Sequence, residues 1–477
     1  MTRALTDTAY SELRKIFPAD RVSRGASVLD LHSRDESFHE PRRPDAVAWP
    51  VSTDEVRRAV EWAAEHGIPV TPWGAGTSVE GNPVPVRGGL VLDFTRMDRI
   101  LEVRPEDFLV TVEPGVRYTD LNRELNRRRT GLFFPPDPGA AASIGGMVGN
   151  NASGVRTVRY GPTSRFVQRL EVVLADGRVV EAGTLAPKSS AGLDLVRLFV
   201  GSEGILGVFT RITLALAPLP PEVLTAVAPF PDAASATRAV TSIMGAGLGV
   251  AACEFLDDAT VQAVERAAGL GLPDRPLLFL EFHGTSRAGL EADAGLVEEI
   301  CRGEGALGFE AGIGPDERAR LWDARHRAYH TIRESHPGES ILIVDAAVPR
   351  SRYPELVDRA REALGRRGLR GYIFGHAGDG NLHCLIVERP GDRDRWCRVE
   401  EANAEIVEGA LALGGTATGE HGVGIGKRRF LPREHGPALD VMRAVKAALD
   451  PRGLLNPGKL LPDAHGEQRA PARGGTS

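Results

Sequence analysis

Two histidines, His376 and His383, stand in the segment GYIFGHAGDGNLHCLIV, where two apolar runs flank a turn-forming Ala-Gly-Asp-Gly-Asn stretch. Strands on either side of such a turn bring both imidazoles to facing strand ends, which suits a pair of metal ligands. The segment TATGEHGVGIGKRRF adds Glu420 and His421, adjacent and set among glycines. Three ligands of His2Glu type leave a divalent ion with open positions for a substrate, the catalytic rather than the structural arrangement. Either histidine alone reads more simply as a core or hairpin residue. The pair, together with an acidic-histidine dipeptide in a glycine loop, favours the ligand reading. Cys253, Cys301, Cys384 and Cys397 show neither CxxC pairing nor regular spacing, which disfavours a thiolate zinc site and a disulfide framework alike.

Three further stretches are built to let backbone approach a ligand. In PWGAGTSVEGN, Pro72 to Asn82, the glycines Gly74, Gly76 and Gly81 free N–H groups for an anion, and Thr77 and Ser78 add hydroxyls. It is neither a G-x-G-x-x-G fingerprint nor a P-loop, and a tight turn between strands is an equal reading. From Pro135 to Gly161 the chain is so poor in bulky side chains that it could wrap a flat polar cofactor, with Asn150, Asn151 and Ser153 as polar contacts. In FVGSEGILGVFT, Phe199 to Thr210, glycines at three-residue steps inside an apolar strand point to backbone packed on a ligand ring; a bent core strand is the alternative.

These segments need a scaffold, and 477 residues leave room for about three folding units. Residues 1–45 read as an irregular arm with a short helix. From Ala46 a strand, a helix (Asp54 to His66, capped at Thr53 or Asp54 and stopped by Gly67) and a second strand begin a unit that runs to 220. Asp176-Gly177 between apolar runs predicts a type I′ hairpin. Pro218, Pro220 and Pro221 open a second unit, 221–425, with helices at 232–244, 258–268 and 288–302 and helices expected on one face of an antiparallel sheet. A C-terminal segment, 426–463, follows, and the Gly, Arg, Pro and Ser-rich tail 464–477 reads as disordered. Strands and helices mix without strict βαβ alternation, so the fold class is α+β. Lys and Arg total 58 against 64 Asp and Glu, with no basic run, which excludes a nucleic-acid footprint. The start lacks a secretory apolar core and the chain has no long apolar window, so the expectation is a soluble protein of the cytoplasm, with peripheral contact at the inner face of the membrane left open.

In combination, PWGAGTSVEGN, DPG…IGGMVGNNASG…RYG and GSEGILG resemble the flavin domain of the vanillyl-alcohol oxidase and p-cresol methylhydroxylase family, and ALDPRGLLNPGKLLP resembles that family's closing segment. The resemblance implies a PCMH-type FAD-binding domain, an antiparallel-sheet substrate (cap) domain, and a C-terminal return to the flavin domain through Asn456 and Lys459. It implies FAD contacts from Pro72, Gly74, Gly76, Thr77, Ser78, Gly81 and Asn82 in the first stretch. The second contributes Pro136, Asp137, Ser143, Gly146, Asn150, Ser153, Gly154, Tyr160 and Gly161, and the third Glu203, Gly204 and Ile205. Some members attach FAD through a histidine, but none lies between His66 and His283, which excludes histidyl attachment within these loops.

GHxGDGNxH with GEHGxG further resembles the metal-dependent D-2-hydroxy-acid dehydrogenases of the family: cytochrome-type D-lactate dehydrogenase, the FAD subunit of glycolate oxidase and D-2-hydroxyglutarate dehydrogenase. The resemblance implies that His376, His383 and Glu420 bind the metal, zinc or manganese, that His421 is the base, and that Arg325 in RLWDARHRAY grips the substrate carboxylate. Where the hydroxyglutarate enzymes carry a lysine and a polar amide, this chain has Ile343 and Leu385, which implies a monocarboxylic acid, D-lactate first. A non-catalytic electron-relay subunit is the rival class. The acceptor stays open among a cytochrome, a quinone and an electron-transfer flavoprotein, and the assembly between a homodimer and a subunit of a larger complex.

Overall fold

Leu5, Ala9, Leu13 and Phe17 recur at helical spacing and are all buried, so the helix Asp7–Ile16 packs into the first core instead of forming part of a loose arm. The protein is described by a computed structural model over residues 5–462; the expected disordered tail lies outside the described residues. After the short helix Ala26–Leu31, the helix Thr53–His66 turns Val56, Ala59, Val60, Trp62 and Ala63 inward. Ser52 caps it by accepting the Glu55 N–H, one residue before the expected cap, and Gly67 ends it at φ 68°. The helices Asp7–Ile16 and Thr53–His66 cover a four-stranded sheet with the spatial order Val22–Ser23, Ala46–Ala48, Leu90–Asp93, Val70–Trp73.

A second, five-stranded antiparallel sheet runs Ile100–Arg104, Leu109–Val112, Val208–Ala215, Val167–Val173, Val179–Gly183. Its last turn differs from the expected type I′. The Leu174 carbonyl accepts from Gly177 N, and of Asp176 and Gly177 only the glycine has positive φ, so the bend spreads over five residues. The third glycine stretch is likewise not strand. Gly201, Glu203 and Gly204 all adopt positive φ between the helix Leu195–Phe199 and the strand that starts at Val208, because such backbone cannot continue a ladder.

The remaining unit is a seven-stranded antiparallel sheet in the order Glu310–Ala311, Glu222–Pro229, Leu277–Gly284, Val250–Leu256, Arg370–Gly375, Asn381–Glu388, Ser340–Ala347. Helices Ala233–Gly245, Arg287–Gly303, Tyr353–Arg367 and Arg393–Ala412 bury one face. The expectation of helices on one face alone needs correcting, since Asp258–Ala268, Pro315–His326 and Ala328–Glu334 cover part of the other against Leu256, Phe279 and Tyr372. Period-two alternation then sends Glu254, Phe374, His383, Asp345, Ile343 and Leu385 to this second face. After the helix Ala438–Leu449, the chain returns to the first sheet, where Val70 N donates to Leu454 O and Asn456 N donates to Val70 O.

Candidate active site

The hairpin that carries His376 and His383 closes through a short helical turn, Ala377–Asp379, with Gly380 at φ 75°. The imidazoles meet edge-on with ring centres 5.1 Å apart. Glu420 completes the cluster: its Oε1 lies 3.1 Å from His376 Nε2 and 3.2 Å from His383 Nε2. Behind them, His376 Nδ1 faces the fully buried Glu254 at 2.9 Å and His383 Nδ1 faces Asp345 at 3.6 Å. Carboxylates behind imidazoles orient their outer nitrogens as metal ligands require. Burial opposes a charge on His376, yet Glu254 and Glu420 hold its pKa well above the ordinary imidazole value. Glu420 Oε2 is buried without a hydrogen-bond partner, a free lone pair at the same spot. The side chains of His376, His383 and Glu420 offer donor atoms close enough together that they could hold a divalent ion and leave it open positions.

His421 stacks parallel on His383 with ring centres 5.0 Å apart and shares its two carboxylates, Nδ1 3.8 Å from Asp345 and Nε2 3.8 Å from Glu420. Burial pushes its pKa down to about 4 against the pull of Asp345, leaving a neutral ring able to accept a proton. The loop is set by Asp345, whose Oδ2 accepts the N–H groups of Gly419, Glu420 and His421 at 3.0 Å each and the Thr418 hydroxyl at 2.8 Å. Lys427 Nζ sits 3.3 Å from the same oxygen and 3.0 Å from Glu80 Oε1. Neither Glu254 nor Asp345 was recognised as a site residue from sequence. The available signal was an acidic residue interrupting an apolar strand, VAACEFL and SILIVDAA, where a charge must find partners.

The same cavity, about 410 Å³, is lined by this cluster and by the glycine-rich stretches. Its walls include Pro72, Gly74, Gly76, Thr77, Ser78, Asn82, Asp137, Ser143, Gly146, Asn150, Glu203, Gly204 and Asn456, with Arg325, Ile343, Phe374 and Leu385 at the histidine end. The stretches interlock: a Cβ on Gly74 would collide with Ser143 Oγ, and one on Gly204, at φ 73°, would come within 2.5 Å of Pro72. A wall this rich in exposed backbone fits a large polar cofactor. Asn150 Nδ2 also donates to His421 O at 3.2 Å, tying that wall to the histidine loop.

Several expected contacts are placed otherwise. Gly81, Pro136, Ser153, Gly154, Tyr160, Gly161 and Ile205 lie off the cavity wall. Tyr160 turns its hydroxyl to His283 Nδ1 at 2.8 Å, Gly154 backs onto the Asp137 carbonyl, and Ile205 sits in the second core. The Glu203 carboxylate is committed to the N–H groups of Val423 (2.6 Å) and Gly424 (2.9 Å). Asn456 Nδ2 staples the carbonyls of Asn82 (3.0 Å) and Glu203 (2.7 Å), and Lys459 Nζ donates to Val84 O. Arg325 does reach the cavity, but its Nη2 lies 2.5 Å from Glu254 and its guanidinium stacks on Phe374 at 4.8 Å.

The chain belongs to the FAD-linked oxidases of p-cresol methylhydroxylase type and is an FAD-dependent oxidoreductase. The family models described as FAD binding domain and as FAD linked oxidases, C-terminal domain match residues 44–183 and 219–460. It is 42% identical, over 96% of its length and 92% of the relative's, to a Danio rerio protein named Probable D-lactate dehydrogenase, mitochondrial. It is 39% identical to D-lactate dehydrogenase [cytochrome], mitochondrial, of Arabidopsis thaliana, covering 97% and 82%, and 39% identical to glycolate oxidase subunit GlcD of Bacillus subtilis, covering 90% and 92%. Among solved structures, 4-ethylphenol oxidase from Gulosibacter chungangensis superposes with TM-score 0.80 at 19% identity, over 96% of this chain and 98% of that one, which shows the shared fold. The expectation of a cytoplasmic protein is overturned by these comparisons, since the Danio rerio and Arabidopsis thaliana relatives are named mitochondrial. Among the described residues no helix is long and apolar enough to cross a membrane.

Proposed function

We propose that the protein oxidises a D-2-hydroxy acid, D-lactate first, to the 2-oxo acid, and delivers the electrons to a cytochrome-type acceptor. The observation that carries the reading is the single cavity that joins the flavin-type loops to His376, His383, Glu420 and His421. Relatives named D-lactate dehydrogenase, one with cytochrome in its name, support the substrate and the acceptor.

FAD, when bound, supplies the hydride acceptor. A zinc or manganese ion held by His376, His383 and Glu420 would supply Lewis acidity that makes the substrate hydroxyl easier to deprotonate. Arg325, at the cavity wall beside Phe374, binds the substrate carboxylate through the fork edge that faces away from Glu254. His421 accepts the hydroxyl proton at Nε2, the nitrogen turned from Asp345, and the buried Asp345 carboxylate stabilises the imidazolium that forms. Ile343, Phe374 and Leu385 keep water from that end of the cavity and offer no partner to a second carboxylate.

Two results are expected. None of the four cysteines lines the cavity, and no histidine lies between His66 and His283. Acid precipitation should therefore release FAD into the supernatant, and colour kept wholly in the pellet would show a covalent bond. For the substrate, leaving a distal carboxylate unpaired beside Ile343 and Leu385 costs on the order of several kcal/mol. Anaerobic stopped-flow reduction should rank D-lactate above glycolate, L-lactate and D-2-hydroxyglutarate. A preference for the last by more than about tenfold, roughly 1.4 kcal/mol, overturns the assignment.

A further inference from the structure

Glu254 takes no part in the steps above, yet it touches two groups that do. It lies on the strand Val250–Leu256 with no exposed surface, its Oε1 and Oε2 at 2.9 and 3.1 Å from His376 Nδ1. Oε2 is also 2.5 Å from Arg325 Nη2. His376 and Arg325 come from elements more than forty residues apart, the hairpin after Arg370–Gly375 and the helix Pro315–His326, and this carboxylate is where they meet.

We propose that Glu254 is a positioning residue that sets the metal-site histidine and the substrate-binding arginine at once. By accepting the His376 Nδ1 proton, it leaves Nε2 turned to Glu420. By its ion pair with Nη2 at 2.5 Å, it holds the guanidinium over the Phe374 ring and leaves the buried Nε without a hydrogen-bond partner. A counter-ion for Arg325 alone has no need to face His376 with both oxygens. The consequence is a fixed spacing between the cation site and the carboxylate site, which a chelating 2-hydroxy acid has to span. This inference rests on the roles given to His376 and Arg325 above.

Glu254→Gln is the same shape and cannot serve both partners. Its NH2 must face either the arginine, donor against donor, or His376, where it favours the tautomer that points a proton at Glu420. The dissociation constant for Mn2+, measured by equilibrium dialysis on the FAD-loaded protein, should rise about 10–100-fold while FAD content is unchanged. At saturating Mn2+, KM for D-lactate should rise at least about tenfold with kcat moving far less, the mark of lost uniform binding. In 15N-histidine NMR of the metal-free holoprotein, the downfield His376 Nδ1 proton should be present in the parent and displaced in Glu254→Gln. If the parent binds no Mn2+ or leaves D-lactate untouched, the functional reading fails while the NMR comparison still decides the Glu254 contact. Parental values in the variant, or a change at only one of the two partners, overturn the dual role.

Discussion

Replacing His421 by alanine should slow anaerobic flavin reduction by D-lactate roughly 10²–10⁴-fold while FAD and metal contents stay at parental levels. The loop survives the change because its bonds to Asp345 run through backbone N–H groups and Thr418, not through the imidazole. The comparison that matters is with His383, stacked on it and facing the same two carboxylates. Geometry distinguishes the two by 0.6 Å, with Nε2 3.2 Å from Glu420 for His383 and 3.8 Å for His421. A His421→Ala protein that loses its metal would exchange the two roles, and one that reduces flavin at the parental rate would place the base elsewhere.

Loss of the metal set is expected to be as severe. His376→Ala and His383→Ala should each lose the ion and turnover yet keep FAD, because the glycine-rich loops interlock through Gly74 against Ser143 and Gly204 against Pro72 and not through these imidazoles. Chelation of the parental protein should abolish turnover and re-addition of zinc or manganese restore it. The physical ground is the unpartnered Glu420 Oε2 beside two imidazoles whose far nitrogens face carboxylates, an arrangement that leaves acidic charge poorly balanced until a cation arrives. Metal analysis with steady-state rates on the same preparations checks this, and full activity in a metal-free sample rejects it.

The 418–427 loop shows how the two units are held in register. Asp345 grips its start from the cap sheet, Glu203 takes the N–H groups of Val423 and Gly424, and Glu80 bonds Ile425 N through its carbonyl and Lys427 through its carboxylate. Glu203, at the cavity wall, also fixes this loop through its carboxylate, a role its place in the GSEGILG stretch does not announce. Glu80 lies in the first glycine stretch, where its neighbours give its carboxylate no evident partner. Both carboxylates act on residues more than two hundred positions away, and local spacing carries no record of such partners.

Chain-local physics was enough for much of the molecule. Apolar runs broken by turns marked the cap strands, and the helix Thr53–His66 was bounded to within a residue by its cap and its glycine. The turn between His376 and His383 and the adjacency of Glu420 and His421 depend only on near neighbours, so each pair was legible as a ligand candidate before any fold was known. The glycine-rich stretches were legible for the same reason, as places where side chains are missing. Tertiary structure decided what those residues face. Strand order places Val250–Leu256, Arg370–Gly375, Asn381–Glu388 and Ser340–Ala347 side by side, and only that pairing turns the period-two alternation of each into one shared face bearing Glu254, His383 and Asp345. It also fills the Arg325 fork in part with Glu254 and withdraws Tyr160 to His283. A buried carboxylate recruits whichever donors the fold brings within about 3 Å, and which donors those are follows from register and sheet order, set by contacts across the whole chain.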